Sequence, residues 1–191
     1  LSWRAQALEP GTLVLSGPLP MIRYSDNSLT APLNRIYAPE NTSQELAYLF
    51  YYPSQRLGKS LINLEPGNPV SVDYLAAQYS GNTSQAVALV FNPPGCLRIL
   101  DPELDWENRM LSDLVWQSAR LSDASNIIPE GQPEMPFTLF GSEPDHGWCY
   151  YFERADLARQ QLDWQAVVAL GEQAFNLGDY PNDPAERIPF I

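Results

Sequence analysis

The sequence is poor in basic residues and in long hydrophobic runs, and each shortage argues against a class of protein. Only 11 of its 191 residues are lysine or arginine, against 23 aspartate and glutamate residues, so the net charge is −12. A surface that follows nucleic-acid phosphates needs clustered basic side chains, and these are missing. An anionic membrane surface would repel the chain for the same reason. No apolar run reaches the roughly 18 residues that a membrane-spanning helix requires.

Residues for catalysis or cofactor binding are equally scarce. The single histidine, His146, has no second histidine for a zinc site, and we interpret it as a loop residue that caps the following helix. The sequence has no nucleophile elbow and no phosphate-binding glycine loop. Acidic residues such as Asp26, Asp73, Asp101 and Glu103 suit a hydrolase by type, but their spacing selects no pair. We therefore predict no catalytic residue, metal or cofactor.

The two cysteines leave two interpretations open. Cys96 and Cys149 lack the close spacing of zinc or redox motifs, so they are either buried free thiols or partners in one disulfide. A disulfide would close a loop of roughly 50 residues and contribute on the order of 4 kcal/mol to stability. It would also imply an oxidising compartment.

The first 105 residues predict an α/β domain with a mixed sheet. Short apolar segments between turn residues predict strands, and a helix is predicted from Thr30 to Tyr37, with Ser28 or Thr30 as its cap and Pro32 in its first turn. The predicted strands are 11–17, 46–52, 70–75, 86–91 and 96–101. The last two flank a tight Pro-Pro-Gly connection, so we expect them to pair antiparallel.

The remainder of the chain predicts helices. A helix from about Glu107 to Leu121, within segment 106–126, is expected to pack on the sheet, and 127–147 is a loop rich in proline and glycine. Residues 148–191 predict a helical hairpin and tail, with the break at Leu162-Asp163.

This hairpin resembles a single tetratricopeptide repeat. Tyr151 takes the large aromatic position, Ala155 and Ala174 take the small positions, and Asp163-Trp164 fills the turn. The segment departs from the repeat at Arg154, where leucine is usual, and also at Val167 and Gly171. The alternative is an ordinary antiparallel helix pair with a seam of small residues.

One loop predicts a binding site. It follows the strand at 11–17, and the carboxyl ends of strands are where α/β sheets place ligands. Polar side chains beside tyrosines suit a sugar or another neutral polyol, and the alternative is a loop that only caps the helix. The candidate binding residues are Tyr24, Asp26, Asn27, Asn34 and Tyr37.

Several phrases carry a family resemblance: Trp3-Arg4 before Glu9-Pro10-Gly11-Thr12, the segment 25–34 (SDNSLTAPLN), the segment 93–98 (PPGCLR) and the segment 147–153 (GWCYYFE). They resemble the extracytoplasmic C-terminal part of bacterial multi-pass membrane proteins that look like polyprenyl-phosphate-sugar-dependent glycosyltransferases. The catalytic carboxylates of that superfamily lie in loops outside this sequence, so none is carried over.

The resemblance implies a function and a location. We expect a non-catalytic accessory domain on the extracytoplasmic face of a bacterial membrane, which binds a glycan or a protein partner and belongs to a membrane-anchored parent chain. The absence of an initial methionine and the apolar end at Ile188–Ile191 favour a segment of a longer protein. The alternative is an independent, soluble, carbohydrate-active hydrolase that uses a carboxylate pair.

Overall fold

A computed structural model describes residues 1–21, 25–53, 63–131, 133 and 135–191, and it shows a mixed α/β fold. The strands are β1 (Ala7–Leu8), β2 (Leu13–Ser16), β3 (Leu49–Tyr51), β4 (Pro69–Asp73), β5 (Gln78–Asn82), β6 (Ala86–Val90), β7 (Arg98–Ile99) and β8 (Ile127–Ile128). The α-helices are α1 (Asp26–Tyr37), α2 (Asp113–Ala119), α3 (Phe137–Phe140), α4 (Trp148–Gln160) and α5 (Trp164–Asn176). Two 3-10 helices span Ala124–Asn126 and Pro184–Phe190.

The central sheet has four strands in the order β3-β2-β6-β7. Strand β2 runs parallel to both neighbours, with Val14 opposite Phe50 on one side and Val87 on the other. Strand β7 pairs antiparallel with β6, which confirms the predicted pairing across the Pro-Pro-Gly connection. Strands β4 and β5 form a separate antiparallel hairpin, and β1 pairs with β8.

Both faces of the central sheet are covered, which explains why β2 and β6 are continuous apolar runs. Leu13 and Leu15 face a cluster that includes Val115 and Ala119 of α2 and Val72 of the β4–β5 hairpin. On the other face, the buried cluster includes residues from β1, β2, β3, β6, β7, β8, α1 and α4, among them Val14, Phe50, Val87, Ile99, Leu33 and Leu157. The C-terminal hairpin therefore packs on the same face as α1.

Helix α1 begins four residues earlier than its predicted start at Thr30. Ser25 is the N-cap, and its side chain accepts a hydrogen bond from the backbone of Ser28 while the Ser28 hydroxyl accepts one from Ser25 N–H. This reciprocal pair satisfies two otherwise unpaired N–H groups at the helix start. The cap is therefore Ser25 and not Ser28 or Thr30 as predicted. Because the helix begins earlier, Pro32 lies inside it and not in its first turn.

Helix α2 spans Asp113–Ala119 and is shorter than the predicted Glu107 to Leu121. Residues 106–112 have apolar side chains at helical spacing but form a loop. Asp105 is buried and its carboxylate accepts hydrogen bonds from Asp101 N–H at 2.9 Å and from the Asn108 amide at 3.2 Å. Both bonds stabilise a turn in place of helix. Trp106 and Met110 of this loop are 57% and 93% exposed.

Some short strands and helices of the structure were not predicted from the sequence. Strand β5, with the polar sequence QYSGN, was not predicted. The segment 127–147 contains β8 and the four-residue helix α3 and is therefore not wholly a loop.

Two helices pack together at the C-terminus, as predicted. Helices α4 and α5 are joined by residues 161–163, and Trp148 at the start of α4 contacts Phe175 near the end of α5 with ring centroids 5.5 Å apart, so the pair is antiparallel. Leu162 in the turn has φ 61°, and Asp163 caps α5. Ala155 and Ala174 are both fully buried. Among the described residues, no helix is long and apolar enough to cross a membrane.

Candidate functional site

A groove of about 120 Å³ opens between the N-terminal segment and the C-terminal hairpin. Its polar and aromatic lining residues are Trp3, Gln6, Arg154, Gln161 and Asp163, and the other lining residues are Pro129, Leu157, Ala158, Ala166 and Leu170. A concave surface with an apolar lining and a few polar groups is the usual composition of a small-ligand site. We therefore treat the groove as the candidate functional site.

The helical period explains how α4 and α5 form two walls of the groove. Arg154, Leu157, Ala158 and Gln161 follow the spacing i, i+3, i+4, i+7, which places them on one face of α4. Ala166 and Leu170 are likewise four residues apart on α5. The alanines leave room between the helices that larger side chains would fill.

Trp3 belongs both to the groove and to an aromatic cluster beside it. Its ring packs edge-on against His146 at 6.1 Å and against Tyr150 at 5.7 Å, measured between centroids. His146 in turn stacks on Tyr150 with centroids 3.6 Å apart and planes 5° from parallel. The helix is capped by Gly147 without a side-chain bond, so the expected capping role of His146 is wrong.

Glu143 fixes the orientation of Trp3. Its Oε1 accepts a hydrogen bond from the indole Nε1 at 2.7 Å and lies 2.9 Å from His146 Nε2. The bond with His146, and then the bond with Trp3, lower the pKa of the Glu143 carboxyl. The carboxylate can only accept, so the imidazole carries its proton on Nε2. One exposed carboxylate thus positions an indole ring in the groove.

Arg154 carries positive charge on the groove wall. Its Cζ lies 5.4 Å from the Tyr150 ring centroid, and its Nη1 donates to the Tyr150 hydroxyl at 3.3 Å. With the Gln6 amide oriented to satisfy both of its atoms, the Gln6 oxygen accepts from Arg154 Nη2 at 3.0 Å and its nitrogen donates to the Pro129 carbonyl. These contacts hold the guanidinium in place before any ligand arrives.

The remaining polar residues of the groove are each anchored through one atom. Gln161 Nε2 donates to the carbonyl of Ile127 at 3.1 Å, and Asp163 Oδ1 accepts from Ala166 N–H at 3.0 Å. Within the described residues, the second oxygen of Asp163 and the amide oxygen of Gln161 have no hydrogen bond in the fold. The groove thus offers fixed acceptors beside an aromatic ring and a guanidinium.

Two of the predicted binding residues are bonded within the fold. Asn34 is buried, donates to the carbonyls of Thr30 and Tyr48, and accepts from Tyr48 N–H at 3.1 Å, so it joins α1 to β3. The Tyr37 hydroxyl donates to the carbonyl of Ala5 at 2.7 Å, and burial raises its pKa. Neither residue lines the groove.

The other three predicted binding residues lie outside the described residues, either entirely or in their side chains. Tyr24 lies outside the described residues, and so do the side chains of Asp26 and Asn27, whose backbone forms the first turn of α1. Binding at this loop stays a prediction.

A buried ionic network lies behind the groove. Arg4 is fully buried and donates through Nη2 to Asp156 at 3.2 Å and also to Gln160, while Arg159 bonds the other Asp156 oxygen at 2.6 Å. Burial lowers the pKa of Arg4 to about 10, and Asp156 partly offsets this effect. An arginine held this way ties the N-terminal segment to α4 and is not presented to a ligand.

Cys96 and Cys149 form a disulfide, with Cα atoms 5.2 Å apart. This separation lies within the range that a disulfide requires. The bond connects the loop between β6 and β7 to the first turn of α4. It closes a small apolar cluster that contains Trp148, Phe152 and Ala174.

Most groove residues were missed from the sequence because they come from distant segments. Trp3 and Asp163 are 160 positions apart, and no local spacing links them. One signal was present, since Arg154 was the position where the hairpin departs from the usual leucine of a tetratricopeptide repeat. A charged residue at a position where the repeat has leucine was the sign of the groove in the sequence.

Among the described residues, no cluster of three or more histidine, cysteine, aspartate or glutamate side chains is arranged to hold a metal ion. Among the described residues that line the groove, Asp163 is the only one with a carboxylate. No family model, curated protein or solved structure matches the chain.

Proposed function

We propose that this chain is a non-catalytic, extracytoplasmic binding domain of a bacterial membrane protein, and that its groove binds a neutral glycan. The observation that carries the proposal is the lining of the groove. An indole ring fixed by Glu143 stands beside amide, guanidinium and carboxylate groups that are already held in place. Such groups match the apolar ring faces and the hydroxyl groups of a sugar.

Charge supports a neutral ligand. The chain has a net charge of −12, so an anionic polymer would be repelled before it reached the groove. Within the groove, Arg154 and Asp163 carry opposite charges, which leaves the lining close to neutral. Neutral hydroxyl-bearing ligands avoid the cost of bringing an unpaired charge into such a site.

The disulfide supports the location. Disulfides persist in oxidising compartments, including the bacterial periplasm and cell surface, and are rare in the cytosol. The pair Cys96–Cys149 therefore fits an extracytoplasmic domain, as the sequence resemblance implies.

The parent protein is part of the same proposal. We assign the domain to a membrane-anchored chain of the glycosyltransferase type named above, in which it would hold glycan near the membrane. The α4–α5 hairpin would then be a single tetratricopeptide-like unit that docks on the sheet through Leu157 and does not form a repeat array. Arg154 would then line the groove, where the leucine of a repeat would pack against a neighbouring helix.

The alternative function, a hydrolase with a carboxylate pair, has less support. The charge of Glu186 raises the pKa of Glu153, but the two side chains are 3% and 5% exposed and do not line the groove. A sugar could not reach them without opening the fold. No second function is proposed.

Binding of neutral oligosaccharides tests the proposal. Gluco-, manno- and galacto-oligosaccharides would be titrated into the domain, with binding followed by NMR chemical shifts. We expect the shifts to map to α4 and the N-terminal segment, and we expect Trp3→Ala to weaken binding by at least about tenfold, because each 1.4 kcal/mol of lost contact is a factor of ten.

The matched control is Trp106→Ala, which removes a tryptophan side chain that is 57% exposed and does not line the groove. It should leave binding unchanged. Equal weakening by both substitutions, or binding by none of the sugars, would show that the groove is not a glycan site.

A further inference from the structure

The C-terminal 3-10 helix, Pro184–Phe190, covers part of the α4–α5 hairpin. Asp183 caps it by accepting from Ala185 N–H at 2.9 Å. Phe190 packs on Trp148 and Phe175, with ring centroids 5.8 Å and 5.5 Å away. A Cβ at Gly171 would lie 2.9 Å from the Phe190 ring, so the glycine is the space into which this ring fits. We call residues 183–190 the strap.

Two buried carboxyl groups meet where the strap crosses the disulfide loop. Glu186 of the strap accepts from Cys96 N–H at 2.7 Å, and Glu153 of α4 accepts from the next amide, Leu97 N–H, at 3.3 Å. Their side chains thus clamp two consecutive residues of the loop that the disulfide fastens to Cys149. The second oxygen of each carboxyl is buried and has no hydrogen-bond partner among the described residues.

We propose that Glu153 and Glu186 form a protonation-controlled clamp, which holds the strap on the hairpin when a proton is bound and loosens it when both carboxyls are ionised. Each carboxyl is buried and has a hydrogen bond to only one of its oxygens among the described residues, so the ionised form would keep part of its charge uncompensated away from water. Protonation removes that charge. The two backbone N–H bonds favour the ionised form, and burial opposes them.

The charges around the clamp come from every element that packs against it. The backbone N–H of Leu97 and the guanidinium of Arg4 lower the pKa of Glu153, while Glu186 raises it. Glu186 faces Asp183, which raises its pKa, and the indole of Trp148, which lies near enough to lower it without a hydrogen bond of ordinary geometry. The Tyr37 hydroxyl also faces Glu153 and stays protonated, because burial raises its pKa.

Burial outweighs the favourable charges for both groups. It raises the pKa of Glu153 to about 6 and raises the pKa of Glu186 as well. Since the folded-state pKa is above the unfolded value, the stabilisation is complete below about pH 4.5 and is lost as the pH rises through about 6. The strap should thus be tight in mild acid and looser at neutral pH.

Hydrogen exchange measures the strap directly. Protection of the strap amides at residues 185–188 and 190, corrected for the intrinsic pH dependence of exchange, would be followed between pH 4.5 and 8 in the intact protein. We expect strap protection to fall about tenfold across this range, the change that one unit of pKa difference supplies. Sheet amides such as those of Leu15 and Val87 serve in the same sample as a check that the fold is retained.

Three variants separate the clamp from general acid sensitivity. In Glu186→Gln the amide still offers an oxygen to Cys96 N–H and carries no charge, so strap protection should stay high and independent of pH. Glu153→Gln should reduce the pH dependence, because it removes one of the two buried carboxyls whose pKa is raised. Glu172→Gln, on the exposed side of α5, should behave as the unmodified protein.

Strap protection that does not change with pH in the unmodified protein would overturn the proposal. A fall in protection that persists in Glu186→Gln would also overturn it, because the carboxyl held responsible would be gone. If Glu186→Gln also lost protection in the sheet, the Glu153→Gln result would decide, and full pH dependence there would contradict the clamp.

Discussion

The sheet and the C-terminal hairpin are stabilised in different ways. Strand β2 has all four of its residues buried, and its two faces pack into two apolar clusters that draw on most other elements of the fold. The hairpin has a small cluster of four buried residues, and one of these is half of the disulfide. Its contact with the rest of the chain includes the buried ion pair of Arg4 and Asp156.

The hairpin also leaves more of its apolar side chains exposed to solvent than the parallel strands do. Helix α5 leaves Trp164, Val168 and Phe175 more than half exposed, whereas apolar residues of the parallel strands are buried. A small cluster has little apolar area with which to offset the entropy of ordering two helices. The sheet is therefore stabilised by burial of apolar side chains, while the hairpin depends on the disulfide and a few specific contacts.

Removal of the disulfide should have the largest effect and should act mainly on the hairpin. Replacing both Cys96 and Cys149 by alanine removes a link across a sequence separation of 53, which is worth about 4 kcal/mol in the chain-entropy model. Hydrogen exchange should show protection lost first in α4, α5 and the strap, with the sheet less affected. Reduction of the unmodified protein with dithiothreitol should reproduce the pattern.

A core substitution in the sheet provides the contrast. Leu15→Ala, at a fully buried position of β2, should lower stability by about 2 to 5 kcal/mol and reduce protection in every element together. If loss of the disulfide also reduced protection evenly across the chain, the two regions would be one cooperative unit and the comparison would fail.

Overpacking the hairpin seam should have an intermediate effect. Ala174 is fully buried in the cluster with Trp148 and Phe152, so Ala174→Leu should destabilise the protein by about 1 to 3 kcal/mol. Urea unfolding would measure the change. Ala169→Leu, on the exposed side of the same helix, is the matched control and should change stability by less than about 0.5 kcal/mol. Similar losses from both would show that helix propensity, not the seam, determines the result.

The elements with strong patterns were predictable from the sequence. Apolar runs such as 86–91 identified the parallel strands, and the break at Leu162-Asp163 divided the hairpin correctly. The error at α1 came from capping, because Ser25 and Ser28 can both cap a helix and the choice depends on their reciprocal hydrogen bonds. The error at α2 came from Asp105, whose buried carboxylate stabilises a turn where the apolar period alone indicates helix.

The groove was less predictable for a physical reason. It forms where the N-terminal segment meets the hairpin, and its residues share no local pattern. Trp3 becomes a groove residue because Glu143, 140 positions away, bonds its indole. The sequence carried one sign of the groove, the charge of Arg154 at a position where a tetratricopeptide repeat has leucine.

Loss of the N-terminal cap of α5 should have the smallest effect on stability. Asp163 Oδ1 accepts from Ala166 N–H at 3.0 Å and so satisfies one of the unpaired donors at the start of the helix. Asp163→Ala should cost about 1 kcal/mol in urea unfolding, because the donor loses its partner and the negative charge near the helix start is removed. Asp163→Asn keeps the acceptor oxygen and should cost less than half as much. Since Asp163 also lines the groove, the two variants separate stability from binding: both remove the charge, but only alanine removes the cap. A loss of stability of the same size in both would mean that the charge, and not the hydrogen bond, stabilises α5.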